Sequence, residues 1–239
     1  MDILYIVIPA YNEAENLKRV LDDWYPVVEK HAGGGKSRIV IINDGSTDDT
    51  PSILKQYSSE HTLLIPLTQS NSGHGAAILH GYEFALNAGA DYIFQTDSDG
   101  QTLPEEFEEF WNLRNNCDMA IGWRKKRQDG ISRIFVTRVL RLAILFIFHT
   151  GVRDANTPYR LMKAETLKRY IGLIPNDFHL TNILISVIFS KKHCRVTSLP
   201  ITFRPRQGGK NSINFRKITG IGVKAVREFF LLNKKINKA

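Results

Sequence analysis

The chain has 239 residues, of which 43% are hydrophobic and 23% charged, enough apolar material for one large globular domain or two closely merged ones. Its longest apolar run, residues 142–148, is far shorter than the roughly 20 residues of a membrane-spanning helix. The N-terminus also lacks the basic start of a signal peptide, so we expect a cytoplasmic protein. Cys117 and Cys194 have no metal-ligand spacing and are predicted to be reduced thiols.

Charge is distributed unevenly along the chain. Residues 1–120 contain 19 acidic and 7 basic residues, a net charge of −12, whereas residues 121–239 contain 5 and 25, a net charge of +20. The second half is therefore predicted to contact an anion, such as a phosphate, a membrane surface or a nucleic acid. A nucleic-acid-binding module is disfavoured, because the basic residues alternate with aliphatic helix faces rather than with stacking aromatic side chains.

Short β-branched runs alternate with longer helical patterns through the first half of the chain. The predicted strands are residues 3–9, 38–44, 62–67, 91–97 and 118–123, and the predicted helices lie near 13–30, 48–58, 74–89 and 104–115. Apolar strands separated by helices are what a parallel sheet covered on both faces requires. The pattern predicts an α/β fold with Rossmann-like character.

Two amphipathic helices are predicted in the second half, over residues 131–151 and 214–236. Each has an apolar face with basic residues interleaved. One interpretation is a helix that packs on the core and exposes its basic face to solvent. The other is docking on a membrane, with the apolar face in lipid and the basic residues on anionic headgroups.

Polar motifs follow four of the predicted strands: PAYNE, NDGSTDDT, TDSDGQ and GWR. Ligands of open α/β sheets bind beyond the carboxyl ends of the strands, so these motifs predict one shared site. No GxGxxG follows the first strand and no Walker sequence occurs, which disfavours dinucleotide oxidoreductases and P-loop NTPases.

Two carboxylates, Asp97 and Asp99, lie one residue apart at the end of the fourth predicted strand. Like charges this close repel each other unless a positive group or a shared proton intervenes. Oxygen ligands of this kind, with the amide of Gln101 beyond, suit Mg²⁺ or Mn²⁺. The alternative is a surface Asx turn with helix-capping aspartates.

Taken together and in order, the motifs resemble the GT-A glycosyltransferases, a family that includes dolichol-phosphate mannose synthase and similar polyprenyl-phosphate sugar transferases. The resemblance extends over roughly residues 3–215 and rests on VIPAYNEAENL, IVIINDGSTDDT, the segment from NSGHGAA to TDSDGQ, AIGWR, DANTPYRLM and ITFRPRQGGKNS. It implies a GT-A, mostly parallel sheet flanked by helices, with C-terminal amphipathic helices. The implied layout is a GT-A domain over 1–213, divided into a nucleotide- and metal-binding half (1–120) and an acceptor half (121–213), followed by a basic amphipathic helix over 214–239.

The same resemblance implies a donor site and a metal site. The divalent cation, Mg²⁺ or Mn²⁺, is expected on Asp97, Asp99 and Gln101, where it neutralises the departing nucleoside diphosphate. Asp44 is expected to hydrogen-bond the base. The implied donor-binding residues are Pro9, Ala10, Tyr11, Glu13, Asp44, Gly73 and Asp97. One departure is His74, where relatives often have a lysine.

The acceptor half contains candidate bases and candidate phosphate ligands. Asp154 and Asp177 are the candidate bases; alternatively, Asp154 braces Arg160, and Asp177 caps the following helix. Many relatives that use hydroxyl acceptors carry a Glu-Asp pair at PNDFH, and its absence favours a phosphate acceptor, which needs no base. The candidate acceptor-phosphate ligands are Arg124, Arg133, Arg138, Arg206 and Lys210.

The sequence therefore predicts a metal-dependent inverting hexosyltransferase that moves a sugar from a UDP- or GDP-sugar to a polyprenyl phosphate. We expect it on the cytoplasmic membrane face, attached peripherally or through a membrane partner, and the sequence is compatible with a homo-oligomer. The rival prediction keeps the chemistry but uses a sugar hydroxyl in surface polysaccharide or glycolipid synthesis.

Overall fold

A computed structural model describes residues 1–125, 142–176, 178–205 and 228–237. Seven strands form one sheet in the order β3-β2-β1-β4-β6-β5-β7. The pairs β1·β2, β1·β4, β2·β3 and β5·β7 are parallel, whereas β6 runs antiparallel to both β4 and β5. The strands are β1 Leu4–Ala10, β2 Arg38–Asp44, β3 Leu64–Gln69, β4 Tyr92–Gln95, β5 Met119–Arg124, β6 Arg160–Lys163 and β7 Val196–Ile201.

Helices cover both faces of this sheet. They are α1 Ala14–Lys30, α2 Thr50–Glu60, α3 His74–Asn87, α4 Phe107–Leu113, α5 (described over 142–148), α6 Ala164–Tyr170, α7 Thr181–Lys191 and α8 (described over 228–237), with 3-10 turns at Gly33–Gly35, Pro104–Glu106 and Ile171–Leu173. Alternate residues of β1 enter two separate cores. Val7 packs with α3, α5, α7 and α8, whereas Ile6 and Ile8 pack with α1, α2 and α4.

The α/β fold class predicted from the sequence is confirmed. The five predicted strands and four predicted helices all form, because continuous apolar runs such as 4–10 and 38–44 are buried on both faces of the sheet. β4 ends at Gln95, two residues before the predicted end. The structure adds β6 and β7, which no prediction named. In the part of the chain described here, no helix combines the length and apolar character needed to cross a membrane.

Helices α3 and α7 approach each other closely at the edge of the sheet where the parallel strands end. A Cβ at Gly75, in the first turn of α3, would lie 2.2 Å from Phe178 O and 2.7 Å from Thr181 Oγ1. The first of these atoms belongs to the backbone and cannot rotate away. Glycine at this position therefore sets the distance between the two helices.

We expect Gly75→Ala to lower the free energy of unfolding by about 1–3 kcal/mol, because the added methyl must displace backbone. Urea denaturation of both proteins measures the difference. The matched control is Gly172→Ala, since a Cβ there meets no atom within 4 Å. Equal stability of the two variants would contradict the close approach.

Candidate active site

The loops after β1 and β2 are held together at the carboxyl edge of the sheet. Asn12, which has a positive φ of 54°, donates its backbone N–H to Ser46 Oγ at 2.9 Å, and Thr47 N donates back to Asn12 Oδ1 at 2.8 Å. Asp48 accepts from Ala14 N at 3.1 Å. These bonds fix the start of α1 against the NDGST loop.

Asp48 also organises the start of α2. Its Oδ1 accepts from Thr50 N at 3.0 Å. Burial acts to raise the pKa of Asp48, but the hydrogen bonds from Thr50 and Ala14 outweigh it and hold the pKa below its usual value. The ionised carboxylate of Asp48 therefore holds the two loops together.

The predicted donor residues of the first motif lie at the end of β1. Pro9 and Ala10 are buried within the strand, and Glu13 is almost buried and accepts from Asn16 Nδ2 at 2.9 Å. Tyr11 is 44% exposed, which leaves its ring open to solvent at the sheet edge. Of these residues, Tyr11 presents the surface that a nucleotide base needs for stacking.

Asp44, predicted to bind the base, is engaged by the chain itself. Its side chain lies at the end of β2 and the residue is only 3% exposed. Oδ1 accepts from Gln69 Nε2 and Ser72 N, and Oδ2 accepts from Gly73 N, all at 2.8 Å. The carboxylate thus holds the segment that leads into α3, and a contact with the base remains a prediction.

Three side chains meet at the N-terminus of α3. Gly73 has a φ of 91°, and a Cβ built on it would lie 3.5 Å from His179 Nδ1. His74 Nε2 lies 3.8 Å from Asp97 Oδ1. The histidine found where relatives often have lysine therefore lies beside the first of the three predicted metal ligands.

The oxygens of Asp97 and Asp99 fit a divalent cation. Asp97 is 27% exposed at its side chain, yet its Oδ1 atom is buried and accepts no hydrogen bond. A buried carboxylate oxygen without a donor is costly unless a positive group faces it. Among the described residues, no three His, Cys, Asp or Glu side chains form a group that could hold a metal ion.

The alternative interpretation, an Asx turn, also holds for part of this loop. Asp99 Oδ1 accepts from Gln101 N at 3.1 Å. Gln101, the third predicted ligand, donates its side-chain Nε2 to Arg204 O at 2.7 Å, and Arg204 N donates to Gln101 O at 2.8 Å. Gln101 thus joins the loop that contains Asp97 and Asp99 to the segment after β7. Its role as a metal ligand remains a prediction.

On the acceptor side, the structure joins a candidate base to a candidate phosphate ligand. Arg124 Nε and Nη2 each donate to one oxygen of Asp154, both at 2.8 Å, and both side chains are largely buried. Phe203 covers the guanidinium, with its ring centre 5.0 Å from Arg124 Cζ. Both oxygens of Asp154 are thus engaged by Arg124, which disfavours Asp154 as a base.

The remaining predicted site residues lie outside the described residues. They are Arg133, Arg138, Asp177, Arg206 and Lys210. Helix α7 begins at Thr181 with Leu180 at its N-cap position. The alternative that Asp177 caps this helix also falls outside the described residues and stays a prediction.

Sequence reasoning missed two structural features of the site. Asn12 and Gly75 set loop and helix distances that depend on neighbours far along the chain. Arg160 is wholly buried at the start of β6. A lone arginine inside the apolar run YRLM was the available signal for it, since arginine is rarely buried without partners.

Comparison with known proteins identifies the family. The sequence profile described as Glycosyl transferase family 2 matches residues 5–171, well over half of the chain. The chain belongs to Glycosyl transferase family 2. It is therefore a glycosyltransferase, and the predicted enzyme class and family resemblance are confirmed.

Relatives in the family are named for lipid-phosphate substrates. A dolichyl-phosphate beta-glucosyltransferase of Trichomonas vaginalis is 28% identical over 225 residues, which cover 88% of this chain and 68% of the relative. A polyprenol monophosphomannose synthase of Mycolicibacterium smegmatis is 25% identical over 218 residues, covering 87% and 80%.

A solved structure shows the same fold. Glucosyl-3-phosphoglycerate synthase from Mycobacterium tuberculosis, in complex with Mn²⁺, UDP and glucosyl-3-phosphoglycerate, matches with a TM-score of 0.68 at 16% identity, covering 97% of this chain and 80% of that one. At this identity the likeness establishes the GT-A fold alone. The predicted GT-A architecture is confirmed, while C-terminal amphipathic helices remain a prediction.

We expect Asp44→Asn to lower the free energy of unfolding of the nucleotide-free protein by about 1–3 kcal/mol. The amide NH₂ must face at least one of the N–H groups that now donate to Asp44, and that donor loses its acceptor. Urea denaturation tests this, with the exposed Asp49→Asn as control. Equal stability of the two variants would show that Asp44 does not hold the 69–73 segment.

Proposed function

We propose that this protein is a metal-dependent inverting glycosyltransferase that transfers a sugar from a UDP- or GDP-sugar to a polyprenyl phosphate at a membrane surface. The observation that carries the proposal is the buried Oδ1 of Asp97, which accepts no hydrogen bond and lies one residue from Asp99, at the sheet edge where the donor motifs meet. The names of the two relatives supply the acceptor class.

The donor side supports a nucleoside diphosphate-sugar. Tyr11 offers an exposed ring to the base, and the loops held by Asn12 and Asp44 border the same edge. Asp97 and Asp99, with Gln101, would hold Mg²⁺ or Mn²⁺ against the diphosphate. The bound cation supplies neutralisation of the charge that develops on the leaving group.

The acceptor side supports a phosphate nucleophile. A hydroxyl acceptor needs a base to take its proton, and both oxygens of Asp154 already accept from Arg124. A phosphate monoester carries ionised oxygens and needs no base. Asp154 then fixes the position of the Arg124 guanidinium, which is not open to solvent.

An apolar surface supports action at a membrane. Helices α5 and α8 contact each other, since Asn233 Nδ2 donates to Ile147 O at 2.6 Å and the Phe148 and Phe229 ring centres lie 5.3 Å apart. Five large apolar side chains on these helices are exposed, and we call them the apolar patch: Leu142, Leu145, Phe146, Phe230 and Leu231. A lipid surface is the occupant that brings a polyprenyl phosphate to the site.

We expect the protein to release nucleoside diphosphate when mixed with a UDP- or GDP-sugar, Mn²⁺ and undecaprenyl or dolichyl phosphate. Removal of metal with EDTA should abolish release, and Mn²⁺ should restore it. Asp99→Asn should lower kcat/KM by at least about 100-fold, because it weakens charge stabilisation of the leaving group. The surface variant Asp22→Asn is the control.

Two outcomes would contradict this function. Absence of release with every lipid phosphate removes the proposed acceptor. Loss of turnover in Asp177→Asn with unchanged donor binding indicates a base, and with it the hydroxyl acceptor of the rival prediction. The phosphate mechanism requires that Asp177→Asn keep its activity.

We expect the double variant Phe146→Gln, Phe230→Gln to bind vesicles of phosphatidylcholine and phosphatidylglycerol at least about tenfold more weakly, because each exposed ring loses the free energy of burial in lipid. Co-sedimentation measures the partition coefficient. Tyr11→Gln, which removes an exposed ring outside the apolar patch, should bind like the original protein. Equal binding by all three proteins would exclude the patch as the docking surface.

A further inference from the structure

The guanidinium of Arg160 is completely buried and bonds to two separate segments. On one side, Nη2 donates to Ala155 O at 3.1 Å, and Nε donates to Thr157 O, also at 3.1 Å. On the other side, Nη1 donates to Asn182 O at 2.8 Å and to Ser186 Oγ at 3.3 Å. One side chain thus joins the loop before β6 to the first two turns of α7.

Both segments belong to the acceptor side. The loop over 154–157 begins with Asp154, which grips Arg124. Helix α7 follows directly on Phe178 and His179, which contact Gly75 and Gly73 at the start of α3. Any shift between the 154–157 loop and α7 therefore moves Arg124 relative to the donor edge.

The buried positive charge of Arg160 carries a desolvation cost. Among the described residues, no carboxylate lies within ion-pair distance of Arg160, and its acceptors are three carbonyls and a hydroxyl. Burial lowers the pKa of Arg160, and the electrostatic interactions with Tyr82, Asp154 and Asp97 act in the opposite direction. An apolar side chain would fill this space without the desolvation cost.

Unsatisfied polar atoms concentrate around the same guanidinium. Gln95 Nε2, Thr157 Oγ1 and Asn182 Oδ1 are buried without hydrogen-bond partners. Gln95 lies opposite Arg160 in the β4–β6 pair, and the other two residues accept from Arg160 through their carbonyls. Each such atom costs about 1–3 kcal/mol, so this polar cluster is not arranged for stability.

We propose that Arg160 is a positioning residue: its fork of donors holds the 154–157 loop against α7 and thereby fixes Asp154 and Arg124 relative to the donor. The inference depends on the proposed function for the identity of the acceptor. The contacts of Arg160 do not depend on it. A planar fork can reach acceptors on both sides at once, whereas the single ammonium of lysine cannot. Charge alone is therefore not sufficient at this position.

The test compares Arg160→Lys and Arg160→Met with the original protein. We expect amide hydrogen exchange in 154–157 and 181–186 to rise at least about tenfold in both variants, with β1 and β2 unchanged. We also expect the ratio of sugar transfer to donor hydrolysis by water to fall at least about tenfold in both, since misplacement of the acceptor does not affect attack by water. A role in stability alone would lower both rates equally and leave their ratio unchanged.

A milder pair of variants covers the case in which Arg160 variants do not fold. Ser186→Ala removes one acceptor of the fork and also the bond that Ser186 Oγ donates to Ala155 O at 2.9 Å. We expect a fall of about two- to fivefold in the same ratio together with faster exchange in 154–157. Ser37→Ala is the matched control: Ser37 is equally buried, but it accepts from Leu4 N at the opposite edge of the sheet. The ratio of sugar transfer to donor hydrolysis should stay unchanged in Ser37→Ala.

The outcomes separate this inference from the proposed function. If the original protein transfers sugar and the Arg160 or Ser186 variants keep both the ratio and the local exchange, Arg160 does not position the acceptor side. If the original protein transfers to no lipid phosphate, the proposed function fails. The exchange measurement then decides by itself whether Arg160 holds the two segments.

Discussion

The pairing of β6 between β4 and β5 is the constraint on which the site depends. In the sheet that the structure describes, β6 is the strand that connects β3-β2-β1-β4 with β5-β7. Because β6 is antiparallel, it begins at the edge where the parallel strands end, and Arg160 pairs with both Gln95 and Ile121. The loops after the parallel strands and the loop before β6 therefore share one edge, with the buried guanidinium of Arg160 beneath them.

The carboxylates at this edge divide by what surrounds them. Asp44 is occupied by N–H donors of the next loop and Asp154 by a bidentate arginine. Asp97 differs, because one of its oxygens is buried without a donor. Groups that the chain already satisfies stabilise the loops, and a group left unsatisfied is the one that gains most from a bound cation. Differences in burial and in hydrogen bonding thus distinguish aspartates that look alike in the sequence.

Much of the fold was predictable, and the exceptions have physical causes. Five strands and four helices were found because continuous apolar runs and helical periodicity are local signals. β6 has only four residues, and β7, an edge strand, includes Pro200 and the adjacent polar residues Thr197 and Ser198, so neither carries a strong local pattern. Motif position also indicated that the loops after these strands share one edge, since parallel strands bring their carboxyl ends together.

The amino-acid order alone was sufficient for the α/β class and the family, because these follow from hydrophobic period and from short motifs. Only the folded chain decided which side chains meet. Asp154 is 30 residues from Arg124, and Gln101 is 103 residues from Arg204. Pairings across such separations depend on strand order and on the insertion of β6, which no local pattern encodes. The surroundings of Arg160 and Gly75 became visible for the same reason, because each contacts a neighbour supplied by a different part of the chain.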